Sequence, residues 1–143
     1  MKNLTSILFV LIIALNVTAC NNGQSNNKED KATVKTDKKI EVYYFHYSHR
    51  CKTCVAVEEE TKKALKELYP KEVKSGAIIF HSINMDKKEG EQLAEKMQIS
   101  GQTLIFTQNN KRVNLTNDGF MYAVTNPNKL KTKIKQTIVN FLN

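Results

Sequence analysis

The chain is poor in the residues that announce a specialised scaffold. Cysteine occurs three times in 143 residues, at positions 20, 51 and 54. An odd count that small excludes a framework of several disulfides, and it cannot supply a zinc site of four thiolates within one chain. Glycine (5) and proline (2) are scarce, which excludes collagen-like and Pro-rich disordered classes. Tryptophan is absent. No apolar run is long enough to span a bilayer. The strongest, over 7–15, stops at Asn16, short of a hydrocarbon core of about 30 Å at about 1.5 Å per residue. What is present is a hydrophobic share of 41%, enough for a core but not for a polytopic membrane protein, in a length that suits one domain. Charge leans one way: 22 Lys and Arg stand against 14 Asp and Glu, a net +8.

The apolar stretch has the length of a secretory h-region, and a single basic residue, Lys2, precedes it. Val17-Thr18-Ala19-Cys20 then resembles the bacterial lipoprotein box. The resemblance implies a signal peptide over 1–19, cleavage before Cys20, and lipid attached to the Cys20 thiol and to the new amino terminus. Acyl chains contribute about 0.8 kcal/mol per buried methylene, so several would anchor the protein in a membrane. The competing reading is an ordinary signal peptide that happens to carry a cysteine. The lipoprotein reading is preferred because Cys20 sits where cleavage must fall and polar sequence starts at once. It accounts for the odd cysteine and places the rest of the chain in the cell envelope, outside the cytoplasm, where disulfides persist.

Residues 20–38 hold almost no apolar side chains beyond Ala32 and Val34. Such a segment cannot offset its ordering entropy by burial and is expected to be a flexible tether, with a reach of about 25 Å. A domain is expected over 39–143. Residues 40–45, rich in β-branched and aromatic side chains, read as a buried strand. A loop over 46–50 leads to Cys51-Lys52-Thr53-Cys54 and a helix to about 69, with Val57, Ala64, Leu65 and Leu68 on one face and Pro70 at its end. Further strands are expected over 77–83, 103–107 and 112–115, a helix over 89–97, and a last helix opened by Asn126-Pro127. Asn109-Asn110 marks a hairpin turn. The order is β-α-β-α-β-β-α, an α/β mixed sheet flanked by helices. Strands joined through helices are expected to be parallel, with the hairpin adding an antiparallel edge.

A C-x-x-C at a strand-to-helix junction suits dithiol chemistry. Free N–H groups and the helix dipole favour a thiolate at Cys51, and Cys54 returns beneath it on the same helix face. Cys51 is therefore expected to be the exposed nucleophile and Cys54 the shielded resolving thiol. Arg50 and Lys52 flank Cys51 and are expected to stabilise its thiolate, which lowers the pKa from about 8.5 and makes the couple more oxidising.

The strand over 42–45, the Cys51–Cys54 motif, the element order and the segment Ile99-Ser100-Gly101-Gln102-Thr103-Leu104 resemble the thioredoxin-like superfamily. More narrowly, Tyr43-Tyr44-Phe45-His46 followed by Arg50-Cys51-x-Thr53-Cys54 is similar to small thioredoxin-like proteins exported to bacterial envelopes. The resemblance implies a thioredoxin-like fold over 39–143. It also implies that Thr103, in the loop facing the cysteines, stands where the family carries a cis-proline. A cis bond before Thr costs about 3 kcal/mol, so a trans peptide is expected. Arg50, Lys52 and Thr53 replace the Trp, Gly and Pro usual around the pair. The family's buried acid would fall near Phe45, which cannot titrate, so Glu58, one turn after Cys54, is the candidate proton acceptor.

The expected function is a lipid-anchored thiol–disulfide oxidoreductase with no cofactor, acting on exported cysteine-containing proteins or a membrane electron donor, as a monomer. Alternatives stay open. One is a copper or zinc module using Cys51 and Cys54 with His49 or His46. Another is a non-catalytic interaction domain, and a fixed structural disulfide is a third. His81 reads as a core or edge histidine, and Glu58-Glu59-Glu60 also reads as a solvated helix start. The sequon Asn114-Leu115-Thr116 is taken as chance in a bacterial lipoprotein. Lysines are spread without interleaved aromatics, so no nucleic-acid partner is expected; acidic partners or anionic lipid fit better.

Overall fold

A computed structural model describes residues 39–143. The expected signal peptide, Cys20 and the tether to residue 38 lie outside the described residues. Four strands form one sheet in the order β2-β1-β3-β4. They are β1 (Ile40–His46), β2 (Ile78–Asn84), β3 (Thr103–Gln108) and β4 (Lys111–Asn114). The helices are α1 (Lys52–Leu68), α2 (Pro70–Ser75), α3 (Lys88–Lys96), α4 (Thr116–Tyr122) and α5 (Pro127–Leu142). The fold is the expected thioredoxin-like mixed sheet between helices.

β1 is central because both its faces are apolar. Val42 and Tyr44 face the larger core, where they join Val57 and Leu65 of α1, Phe106 of β3, and Leu130, Ile134 and Ile138 of α5. Phe45 points to the opposite face and packs with Ile105 and with Ala94 of α3. The register sets Val42 beside Phe80 of β2 and Phe106 of β3, and Tyr44 beside Ser82 and Leu104. α5 starts where the Asn126 side chain accepts the Lys129 N–H, with Pro127 supplying a φ suited to the first turn.

Three features depart from the sequence reading. β3 runs antiparallel to β1 although a helix joins it to β2, and only β1 and β2 are parallel. α3 has nine residues, about 13 Å, whereas β2 has seven, about 23 Å. So short a helix does not return the chain to its starting edge, and β3 enters from the end at which β2 left. Second, Pro70 does not simply stop a helix. It is the first residue of α2, which Gly76 closes in the left-handed conformation at φ 76°. Third, α4 was not expected, because Gly119 sits in its middle. A Cβ there would lie 3.2 Å from Val57 Cγ1, so glycine lets α4 approach α1. Thr116, in the sequon, accepts the Leu104 N–H and donates its own N–H to Asn114 Oδ1, a turn that docks α4 on β3.

Candidate functional site

Cys51 is the N-cap of α1, with φ −73° and ψ 164°. Its sulfur accepts the Cys54 N–H at 3.3 Å, one of the helix's first unpaired donors. Cys51 is exposed and Cys54 is buried, and both are free thiols. Hydrogen bonding from the Cys54 side chain, then from backbone N–H groups, draws the Cys51 thiol below its ordinary value. Burial, and then the same bond to Cys51, push the Cys54 thiol up. Both shifts favour loss of the proton from Cys51 ahead of Cys54.

Arg50 and Glu58 lie beneath the pair. The Arg50 guanidinium turns away from solvent and reaches Glu58 Oε2 at 2.6 Å through Nη1 and donates to the Cys54 carbonyl at 3.1 Å through Nη2. It also stands 5.6 Å from the centre of the Tyr44 ring. Glu58 is buried and its other oxygen meets Lys62. Burial pushes the Glu58 carboxyl up, but hydrogen bonds from Lys62 and Arg50 outweigh it and leave the group below the usual carboxylate range. A carboxylate held this way by two cations is a weaker base than the sequence expectation needs. Arg50 acts on the helix start and on Glu58, and its charge is not among the leading causes of the Cys51 shift. Lys52 is exposed at the first position of α1.

Sequence reasoning assigns no role at the site to Gln102 or Tyr44. Gln102 Oε1 accepts from Cys54 Sγ at 3.1 Å, from a loop 48 residues away. It precedes Thr103, and only the loop's expected placement opposite the pair could have pointed to it. Thr103 begins β3 opposite Phe45 and donates its hydroxyl to the Gly101 carbonyl at 2.9 Å. Tyr44 is fully buried, and burial followed by the nearby Cys54 charge pushes its phenol up to about 12, with the Arg50 guanidinium opposing the rise.

The histidines are kept apart. His46 is buried, donating through Nδ1 to the Tyr47 carbonyl at 2.9 Å, with Nε2 in a hydrogen bond with the Ser82 hydroxyl at 3.0 Å. His49 is exposed in the loop, and His81 stacks on Tyr43 at 4.6 Å. Among the described residues no three His, Cys, Asp or Glu side chains are grouped to hold a metal ion, so a metal reading is left with the two sulfurs. No helix among the described residues is long and apolar enough to cross a membrane.

No protein-family model matches this chain, and no curated protein does. Solved structures do. Human ERp44 in its zinc-bound form superimposes with a TM-score of 0.53 at 17% identity, over 72% of this chain and 28% of that one. Thioredoxin O2 of Arabidopsis thaliana, in the oxidised state, gives 0.48 at 17% identity, over 69% of this chain and 75% of that one. The germline-specific thioredoxin Deadhead of Drosophila melanogaster gives 0.45 at 22% identity, over 71% and 83%. At such identities the likeness is one of fold, the thioredoxin-like fold.

Proposed function

We propose that this chain is a thiol–disulfide oxidoreductase whose working group is the Cys51–Cys54 pair. The single observation that carries the reading is the exposed Cys51 sulfur capping α1 and accepting the Cys54 N–H, with the buried Cys54 thiol beside it. In the reducing direction, the Cys51 thiolate attacks a substrate disulfide and releases one substrate sulfur as a thiolate. Cys54 then attacks Cys51 and releases the second. In the oxidising direction the same bonds form and break in reverse. The thioredoxin-like fold supports this reading by setting the pair at the end of the central strand.

The finer part of the proposal is address. Cys20 carries lipid, 1–19 is removed on export, and 20–38 tethers the domain at the cell envelope. Its partners are then exported proteins with cysteines, or a membrane electron donor. The support is the leader pattern and the Val17-Thr18-Ala19-Cys20 box. Replacing Cys20 by Ser should move the protein out of the membrane fraction; retention there would remove the anchor from the proposal.

The test of the chemistry is entrapment. Cys54→Ser should accumulate mixed disulfides on Cys51 that reducing agent releases, and Cys51→Ser should accumulate none. Equal yields from the two variants would defeat the assignment of Cys51 as the attacking sulfur.

A further inference from the structure

The resting pair is tied by one side-chain hydrogen bond to a distant loop. Cys54 Sγ donates to Gln102 Oε1 at 3.1 Å. Cys54 is 3% exposed, so its proton has little access to water. Its other neighbours are placed differently. The Cys54 N–H goes to Cys51 Sγ, and its carbonyl takes Arg50 Nη2. Beyond Cys51 itself, Gln102 is the side chain among the described residues that hydrogen-bonds Cys54 Sγ, and the contact favours the Cys54 thiolate.

A carboxamide has two faces: its oxygen accepts and its nitrogen donates, and a half-turn of the last side-chain bond exchanges them. The thiol of Cys54 needs an acceptor while it waits, and its thiolate needs a donor when it attacks. Gln102 is half-buried at the start of β3, on a loop and not inside an element, so such a turn displaces no backbone.

We propose, resting on the dithiol reading above, that Gln102 is a positioning residue for the resolving step. Its Oε1 holds Cys54 as a thiol, and its Nε2–H group meets the thiolate that attacks. The step balances as follows. Cys51 is joined to a substrate sulfur after attacking a protein or peptide disulfide. Cys54 gives up its proton toward the departing substrate sulfur, and its thiolate attacks Cys51 Sγ. The Cys51–Cys54 bond forms and the bond from Cys51 to the substrate sulfur breaks. That sulfur leaves with the electron pair and takes the proton that Cys54 gave up. Two electrons pass from the dithiol to the substrate.

The reagent dithiobis(nitrobenzoate) separates the two sulfurs in time, using the whole chain with Cys20→Ser in every protein so that Cys51 and Cys54 are its two thiols. Cys51 releases the first thionitrobenzoate, and attack by Cys54 releases the second. Stopped-flow traces across the pH range compare wild type with Gln102→Glu, which accepts but cannot donate, and Gln102→Leu, which does neither. At neutral pH the second release is expected to slow by about tenfold in Gln102→Glu and about threefold in Gln102→Leu, with the first release much less affected. In Gln102→Glu the pH midpoint of the second release is expected to move up by about one unit, since a carboxylate disfavours the neighbouring thiolate. Second-release profiles that coincide in all three proteins would overturn the role of Gln102 and leave the dithiol reading standing. So would a slowing equal at every pH, the mark of a merely loosened site. A wild type with no first release would overturn the dithiol reading itself.

Discussion

Replacing Glu58 by Gln keeps the side chain's shape and removes one charge from beneath the dithiol. The cost follows from the surroundings. Arg50 and Glu58 approach to 2.6 Å with side chains 20% and 10% exposed, so solvent screens the pair weakly. Lys62 is 43% exposed, and as an i,i+4 partner it contributes only about 0.3–0.5 kcal/mol. Two unit charges about 4 Å apart at an effective dielectric of about 20 attract by about 4 kcal/mol, and desolvation of the carboxylate offsets roughly half. The amide of Gln still accepts a hydrogen bond from Arg50, so the expected loss is about 2 kcal/mol, or a melting temperature lower by about 10 °C.

The pH dependence separates charge from packing in that variant. The folded pKa of Glu58 lies below its ordinary value of 4.5. Between those two values the unfolded chain binds more protons than the folded one, so stability falls as pH falls. The stabilisation is full above the ordinary value and is lost as pH drops through the lowered folded value. Glu58→Gln has no such term. Thermal or urea unfolding followed by circular dichroism should show the gap at neutral pH closing as the solution is acidified below 4.5. A gap that persists unchanged into acid would mean that the cost is one of shape, and that Arg50 does not depend on the Glu58 charge.

Two further substitutions test the scaffold around the site. Gly90→Ala would set a Cβ 2.0 Å from the Asn84 carbonyl oxygen, which is backbone and cannot turn aside. A loss of more than about 2 kcal/mol in urea unfolding is expected, and a loss under about 0.5 kcal/mol would show that α3 is not seated against the end of β2 as described. Tyr44→Phe removes a fully buried hydroxyl whose polar neighbour is the Arg50 guanidinium. A loss of about 1 kcal/mol in urea unfolding is expected, and a level or raised stability would show that Arg50 does not depend on the phenol.

The parts of this fold that show in the sequence are those whose cause is local. The apolar run of β1, the helical face of Val57, Ala64 and Leu65, and the Asn126-Pro127 start of α5 each announce themselves within a few residues. The parts that do not show have causes far away in the chain. α4 carries a glycine because Val57 of α1 presses on it, and β3 reverses because α3 is too short to carry the chain back along β2. The same division runs through the site. Cys51 and Cys54 are visible as a spacing. Arg50 beside Cys51 suggests a charge on the thiolate, whereas in space its guanidinium turns to Glu58, eight positions on. Gln102 is an ordinary polar loop residue until the fold brings it to Cys54. Thr103, its neighbour, is what family resemblance picks out, yet the hydroxyl of Thr103 turns back to its own loop.

The central claim is that the two sulfurs open and close as a reversible switch. Equilibration of the chain with glutathione mixtures, followed by thiol trapping, measures it directly. A reversible two-electron transition is expected, absent in Cys51→Ser and in Cys54→Ser, at a potential less negative than about −300 mV. A transition more negative than about −300 mV, where structural disulfides fall, or a bridge that never reopens, would make the pair a fixed crosslink and contradict the claim.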